Sequence, residues 1–236
     1  MASKRTKARD RQSGEITQPP DLLPPLAQSP PTAGQDLASA VVGSFVRASG
    51  VRSTDVAHHN IRVGRMTKIV GEALGLSRDA LAWLPDACAI HDIGKLGIPD
   101  AVLNKPGTLT AAEWAAVQAH CTIGHDILRN AKHPLLDTAA EVALYHHEHF
   151  DGSGYPRGLA GTQIPMEARL VAICDAYDAM REDRPYRPGF SHSSAVRVIL
   201  HGDHRTKPSH FDPAVLSAFA GVAAAIERTF SANPQM

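Results

Sequence analysis

The sequence predicts a compact all-α domain of about seven or eight helices, and three observations carry that expectation. Apolar residues recur at three- and four-residue spacing in most segments from Asp36 onward. No stretch alternates apolar and polar residues convincingly enough to be a strand. No internal repeat is visible, so the helices must pack on one another around a shared core rather than stack as a solenoid.

The elements follow in chain order. Residues 1–34 hold six prolines among basic and small polar residues and read as a disordered leader. Leu37, Val41, Val42 and Phe45 share one helical face; after Gly50, His59, Val63, Met66, Val70 and Ala73 share another, and Gly75 marks the end of that helix. Ser77 opens a third helix, with Leu81, Leu84, Cys88 and His91 on one stripe and Pro85 inside it, which predicts a kink or a break. Residues 97–109 read as a loop. Thr110 and Glu113 form a capping box for a helix carrying Trp114, Val117, Cys121, Gly124 and Leu128. Another helix is expected over 137–147. Residues 150–164, with four glycines and Pro156, are too long for an ordinary connector and make a candidate functional loop. Pro165 suits the first turn of a helix bearing Leu170, Ile173, Cys174 and Tyr177. Helices over 194–201 and from Asp212-Pro213 onward complete a domain spanning 35–230, with a tail at 231–236.

Composition narrows the function. The 236 residues are 43% hydrophobic, enough for one domain with a substantial core. Lys plus Arg equals Asp plus Glu at 24 each, so no nucleic-acid polymer is expected as a partner. The nearest thing to a membrane span, residues 214–226, is short, contains Ser217 and is nearly half alanine, and the basic N-terminus leads into prolines rather than an apolar signal core. A cytoplasmic protein without membrane insertion is the expectation. Cys88, Cys121 and Cys174 are odd in number and far apart, and read as reduced core residues.

Thirteen histidines are present, nine of them between His58 and His149. That enrichment asks for a metal explanation. The candidates are His59, the pair His91-Asp92, His120, the pair His146-His147, and Asp175, all in or at the ends of expected helices. Singly, each has an ordinary alternative as a hydrogen-bonded core or surface residue. A bare His-Asp pair says little, since chance supplies about one in such a chain and a second stands at His125-Asp126. Two adjacent imidazoles beside a Gly-rich loop say more, and the joint occurrence decides.

These residues resemble a known family, the HD-GYP phosphodiesterases, a branch of the HD-domain metal-dependent phosphohydrolases. The matching stretches are His59-Asn-Ile-Arg62-Val63, His91-Asp-Ile-Gly-Lys95 continuing to Pro99-Asp100, Asn104-Lys-Pro-Gly-Thr-Leu109, and His146-His-Glu-His-Phe-Asp151-Gly-Ser-Gly-Tyr155-Pro156. The match continues through residues 168–179 around Asp175 and Asp178, Asp183-Arg-Pro-Tyr-Arg187 and Phe211-Asp-Pro213. It spans about residues 37–225, in family order.

The resemblance implies an all-α domain that hydrolyses cyclic di-GMP, with pGpG as the product and GMP as the alternative end product. It implies His59, His91, Asp92, His120, His146, His147 and Asp175 as ligands of two divalent metals, Asp92 bridging, with an activated hydroxide attacking phosphorus. Imidazole and carboxylate without thiolate suit Fe or Mn first, with Ni and Zn also compatible. A third metal is left open at Asp55, one turn before His59, where some relatives carry Glu. Lys95 corresponds to a catalytic lysine that contacts the scissile phosphate or protonates the leaving group, and Asp92 shares the catalytic role. Tyr155, Arg184 and Arg187 correspond to substrate-binding positions; Asp178 is placed with them or behind Asp175. For Asp151 and Asp183, loop capping is an equal reading.

Three features depart from the family pattern: Met180-Arg181-Glu182 replaces small polar residues, no Gly precedes Phe211, and Pro85 interrupts a helix. None is a proposed ligand. Two other readings stand beside the cyclic di-GMP hydrolase: a hydrolase of a mixed guanine–adenine cyclic dinucleotide, and a catalytically weak binding module that signals by contact. Control is expected from a separate regulatory protein, from metal redox state, or from self-association as a homodimer.

Overall fold

The computed structural model describes residues 33–52, 54–183 and 188–231. All but the last two residues of the expected leader and most of the tail lie outside these residues, as do Arg184, Arg187 and the side chain of Asp55.

The described residues form an all-helical domain. Its helices are α1 (Ala33–Arg52), α2 (Thr54–Ala73), α3 (Arg78–Cys88), α4 (Asp100–Leu103), α5 (Ala111–Gln118), α6 (His120–Leu128), α7 (Pro134–Tyr145), α8 (Met166–Arg181), α9 (His192–His201) and α10 (Pro213–Ser231). Short 3-10 turns lie at Ile93–Gly97, Gly161–Gln163 and Pro208–His210. The only β pairing among the described residues is an isolated bridge between Asp151 and Ala160.

More segments are present than the expected seven or eight, for local reasons. The helix anticipated from Thr110 to Leu128 divides at Ala119, where the Val117 carbonyl accepts from His120 Nδ1 at 2.6 Å. The expected 97–109 loop contains one helical turn, α4. Pro85, expected to kink or break α3, stops nothing: the helix runs on to Cys88, and Ala89 N donates to Pro85 O at 2.9 Å. That carbonyl is also why α2 carries glycine at residue 64, since a Cβ there would sit 2.3 Å from it. Pro165, expected in the first turn of α8, stands one residue before it without a side-chain capping bond, and Ser191 caps α9 by accepting from Ser194 N at 3.2 Å.

Helix α2 is central, packing against α1, α3, α8 and α10. One core unites Val63, Met66 and Val70 of α2 with Leu170, Ile173 and Tyr177 of α8 and Val215, Phe219 and Ile226 of α10. A second joins Val42 and Val46 of α1 to Ile61, Ile90, Ile93, Leu128, Leu135 and Ala139. The site described below lies where the two cores meet. The three cysteines are free and buried, and burial pushes the Cys88 and Cys121 thiols up to about 12. Helix α10 reaches 19 residues with a mean hydropathy of 1.2, which by length and composition alone would suit a membrane span. Its buried residues Val215, Phe219 and Ile226 belong to the core.

Candidate metal centre

Five elements deliver the histidines and aspartates to one place. His59 lies in α2, His91 and Asp92 between α3 and the Ile93–Gly97 turn, His120 at the start of α6, His146 and His147 at the end of α7, and Asp175 in α8. The turn lies directly against α6: a Cβ at Gly94 would stand 1.9 Å from the His120 carbonyl oxygen and 2.5 Å from Gly124 N. Glycine in the His91-Asp-Ile-Gly-Lys95 motif is thus what lets Asp92 and His120 share a site.

The carboxylate of Asp92 stands between two groups of nitrogen donors. Its Oδ2 lies 3.5 Å from His91 Nε2, while its Oδ1 lies 3.4 Å from His120 Nε2 and 3.7 Å from His146 Nε2. On one side His59, His91 and Asp175 can each offer a ligand atom within 4.8 Å of the others; on the other, Asp92, His120, His146 and His147 do the same. His59 Nε2 is 3.1 Å from Asp175 Oδ1.

The hydrogen-bond pattern points the free nitrogens inward. His91 Nδ1 donates to Cys88 O at 2.9 Å, His120 Nδ1 to Val117 O at 2.6 Å, and His146 Nδ1 to Ala143 O at 3.0 Å. With each Nδ1 holding the proton, each Nε2 presents a lone pair. His120 Nε2 and His146 Nε2 then face each other at 3.2 Å, acceptor against acceptor. His91 Nε2 and Asp92 Oδ1 are buried with no hydrogen-bond partner. Buried acceptors without donors are costly, and a divalent cation is what this donor set fits: imidazole and carboxylate, without thiolate.

Electrostatics agree. Burial pushes His91, His120 and His146 below the usual imidazole value, and His147 to about 4, favouring the neutral form a metal ligand needs. Burial would raise the Asp92 carboxyl, but Lys95 and the surrounding imidazoles outweigh it and hold it well below the carboxylate range. Lys95 Nζ bonds Asp92 Oδ2 directly. His59 differs: burial opposes its charge, yet hydrogen bonds to Asp175 and Asp178 prevail and raise it to about 10.

Asp178, expected with the substrate-binding residues or behind Asp175, is fully buried. Its Oδ2 accepts from His59 Nδ1 at 2.7 Å, and Arg62 grips it twice, Nε to Oδ1 at 2.7 Å and Nη2 to Oδ2 at 2.6 Å. It therefore orients His59 rather than meeting a ligand. Arg62 also bonds Glu182, whose half-buried carboxylate ends this network toward the surface. Sequence reasoning missed Arg62, although it stands one turn after His59. It missed Glu148 as well, whose oxygens accept from Arg157 N at 2.6 Å and Leu159 N at 3.0 Å and shape the Gly-rich loop.

Tyr155 sits at the rim, its ring 4.8 Å from that of His147 and 6.0 Å from that of Trp114. Asp151 Oδ1 accepts from Ser153 N at 3.0 Å and Asp183 Oδ1 from Gly189 N at 2.7 Å, so both act as loop caps. Next to the metal-ligand cluster a cleft of about 160 Å³ is lined by His146, His147 and Asp175 on one side and by His149, Arg205 and His210 among others beyond them.

A family model described as "HD domain" matches residues 47–215. The chain belongs to the HD-domain family. Its curated relatives include proteins named cyclic di-GMP phosphodiesterase and 3'3'-cGAMP-specific phosphodiesterase. One, "Cyclic di-GMP phosphodiesterase" of Thermotoga maritima, is 37% identical over 198 residues, covering 84% of this chain and 53% of the relative. Another, "3'3'-cGAMP-specific phosphodiesterase 2" of Vibrio cholerae, is 34% identical over 179 residues, 76% of this chain and 34% of the relative. This HD-domain chain thus spans about half, or less, of the length of the curated relatives it matches. Among solved structures, an HDG"Y"P protein from Bdellovibrio bacteriovorus superposes with a TM-score of 0.59 at 19% identity, covering 80% of this chain and 62% of that one, a likeness of fold.

Proposed function

We propose that the chain is a metal-dependent phosphodiesterase that opens cyclic di-GMP to pGpG, with GMP as the alternative end product. The observation that carries this reading is the position of Asp92, with one carboxylate oxygen toward His91 and the other toward His120 and His146. One cation would be held by His59, His91, Asp92 and Asp175, the other by Asp92, His120, His146 and His147. When bound, the pair would supply Lewis-acid stabilisation of the phosphoryl group and lower the pKa of a water. Iron or manganese suits these donors first, with nickel and zinc as the other candidates.

In the reaction a water oxygen adds to phosphorus, the P–O3′ bond breaks and the leaving 3′ oxygen takes up a proton. Lys95, tethered to Asp92 and partly exposed, meets a non-bridging phosphate oxygen and offsets its charge. Arg184 and Arg187 bind phosphate or guanine in this reading. Arg62 fills the acidic group formed by His59, Asp178 and Glu182 with a guanidinium, so that group is not counted among the metal sites, and the third site considered at Asp55 lies outside the described side chains. A cytoplasmic address, with control by a separate protein or a homodimer contact, belongs to the same reading.

The test is turnover. Metal-loaded protein should linearise cyclic di-GMP, carry about two metals per chain by elemental analysis, and lose activity in Asp92→Ala. Absence of products with Fe, Mn, Ni or Zn in both redox states would remove the enzyme reading and leave a binding module. Relatives named 3'3'-cGAMP-specific phosphodiesterases support one second reading, a mixed guanine–adenine substrate, which side-by-side rates would decide.

A further inference from the structure

The cleft beside the metal-ligand cluster continues past His147 and Asp175 to a wall that the reaction above does not use. There the imidazoles of His149 and His210 stack with centroids 3.9 Å apart and planes 11° from parallel. Neither ring belongs to the proposed ligand set.

The wall is held from several directions. Phe150 N donates to His210 O at 2.8 Å, and Ser209 Oγ donates to Asp151 Oδ2 at 2.8 Å, tying the Gly-rich loop to the Pro208–His210 turn. Ser153 Oγ spends its proton on Asp151 Oδ1 at 2.6 Å, so its 2.9 Å bond to His149 has the imidazole Nδ1–H as donor. Arg205 stands in a turn fixed by Asp203 Oδ1, which accepts from Arg205 N and Thr206 N, both at 2.7 Å. The Arg205 side chain is exposed and makes no salt bridge within 4 Å among the described residues, yet it lines the same cleft.

We propose that Arg205, with the His149–His210 stack, forms a guanine-reading subsite that selects the base next to the scissile phosphate. The inference rests on the cyclic-dinucleotide reading above and deepens it. Three features carry it. The cleft runs from His146, His147 and Asp175 of the ligand cluster to His149, His210 and Arg205, so a base held at this wall adjoins a phosphate at the cluster. The outer face of the stacked imidazole pair offers a surface on which a purine ring system can stack. Arg205 offers a planar fork of donors, which matches the two acceptors O6 and N7 on one guanine edge; adenine presents an amino donor where guanine has O6.

The decisive experiment compares wild type, Arg205→Ala and Arg205→Lys as full-length, metal-loaded protein, with two readouts. The first is equilibrium binding of GMP and AMP by titration calorimetry; the second is kcat/KM for cyclic di-GMP and cyclic di-AMP. Wild type should favour guanine in binding, and both variants should lose that preference through a roughly 5- to 150-fold loss on the guanine ligand alone. Lysine keeps the charge without the fork, so its failure to rescue separates base reading from phosphate attraction. Equal losses on guanine and adenine ligands, an unchanged preference, or no preference in wild type would overturn the subsite. If neither dinucleotide is turned over while GMP is still preferred in an Arg205-dependent way, the phosphodiesterase reading fails and the subsite stands.

Discussion

His59 and Asp178 are joined by a 2.7 Å bond between Nδ1 and Oδ2, across 119 residues of sequence and wholly inside the protein. The same carboxylate takes two nitrogens of Arg62, so the ring of His59 is oriented by a charge that is itself neutralised. The first prediction follows. Asp178→Asn keeps the shape but removes the charge, and outer contacts of this kind are worth about 10- to 100-fold in metal affinity. Competition with a chelator should show that loss, with the folded fraction monitored by circular dichroism. A variant with full metal affinity and only a lowered Tm would make Asp178 a purely structural residue.

The second prediction concerns Gly94. Backbone atoms, not flexible side-chain ends, occupy the space an alanine would need, at 1.9 Å and 2.5 Å. Gly94→Ala must push the Ile93–Gly97 turn away from α6 and pull Asp92 from His120. Overpacking of this kind costs about 1–3 kcal/mol, or roughly 2–12 °C in Tm for a chain of this size. Metal content should fall in the fraction that remains folded. A variant that keeps both its melting temperature and its metal would show that the turn can shift without harm.

The physical basis of these two predictions marks how far the sequence could be read. His59, His91, Asp92, His120, His146, His147 and Asp175 were legible as a set because metal-ligating residue types in helical contexts point to one chemistry, and the structure brings all seven together. Helix existence was legible from periodicity, and the Thr110–Glu113 box from local chemistry alone. The role of Asp178 was not, because its partner Arg62 is 116 residues away and nothing local marks a carboxylate as buried. The packing of Gly64 against the Pro85 carbonyl was not legible either, because it joins two helices through a backbone contact that no local pattern marks. The His149–His210 stack joins two segments that share no sequence pattern.

The third prediction is a pH dependence. Lys105 first, then the backbone and hydroxyl of Thr110, hold the Glu113 carboxyl down to about 2 from an ordinary value of 4.5. A carboxyl whose folded pKa is depressed stabilises the fold fully above its unfolded pKa and loses that contribution as pH falls toward the folded value. The Tm gap between wild type and Glu113→Gln should therefore be largest above about pH 5 and should shrink as pH falls from 4.5 toward 2. A gap that stays constant across pH 6 to pH 3 would mean that the capping geometry, not the charge, is what Glu113 contributes.

The last prediction separates binding from metal retention at the rim. The Tyr155 ring lies 4.8 Å from that of His147 at an interplanar angle of 31°, and the Tyr155 N–H donates to the His147 carbonyl at 3.1 Å. That backbone bond survives truncation of the side chain, so Tyr155→Ala should leave His147 in place and metal content unchanged. The aromatic face, half-buried and adjacent to the ligand cluster, is what substrate would lose. Removing one base-stacking or phosphate contact is worth about 1–3 kcal/mol, so kcat/KM for cyclic di-GMP should fall roughly 5- to 150-fold. Tyr155→Phe keeps the face and should retain most of the activity if stacking is the contribution; an equal loss in both variants would assign it to the hydroxyl. Trp114, 6.0 Å away and half exposed, gives the internal control, because Tyr155 could serve only to pack the Gly-rich loop against α5. In that case Tyr155→Ala and Trp114→Ala would both lower Tm and leave kcat/KM per metallated, folded molecule intact, and Tyr155 would have no part in the site.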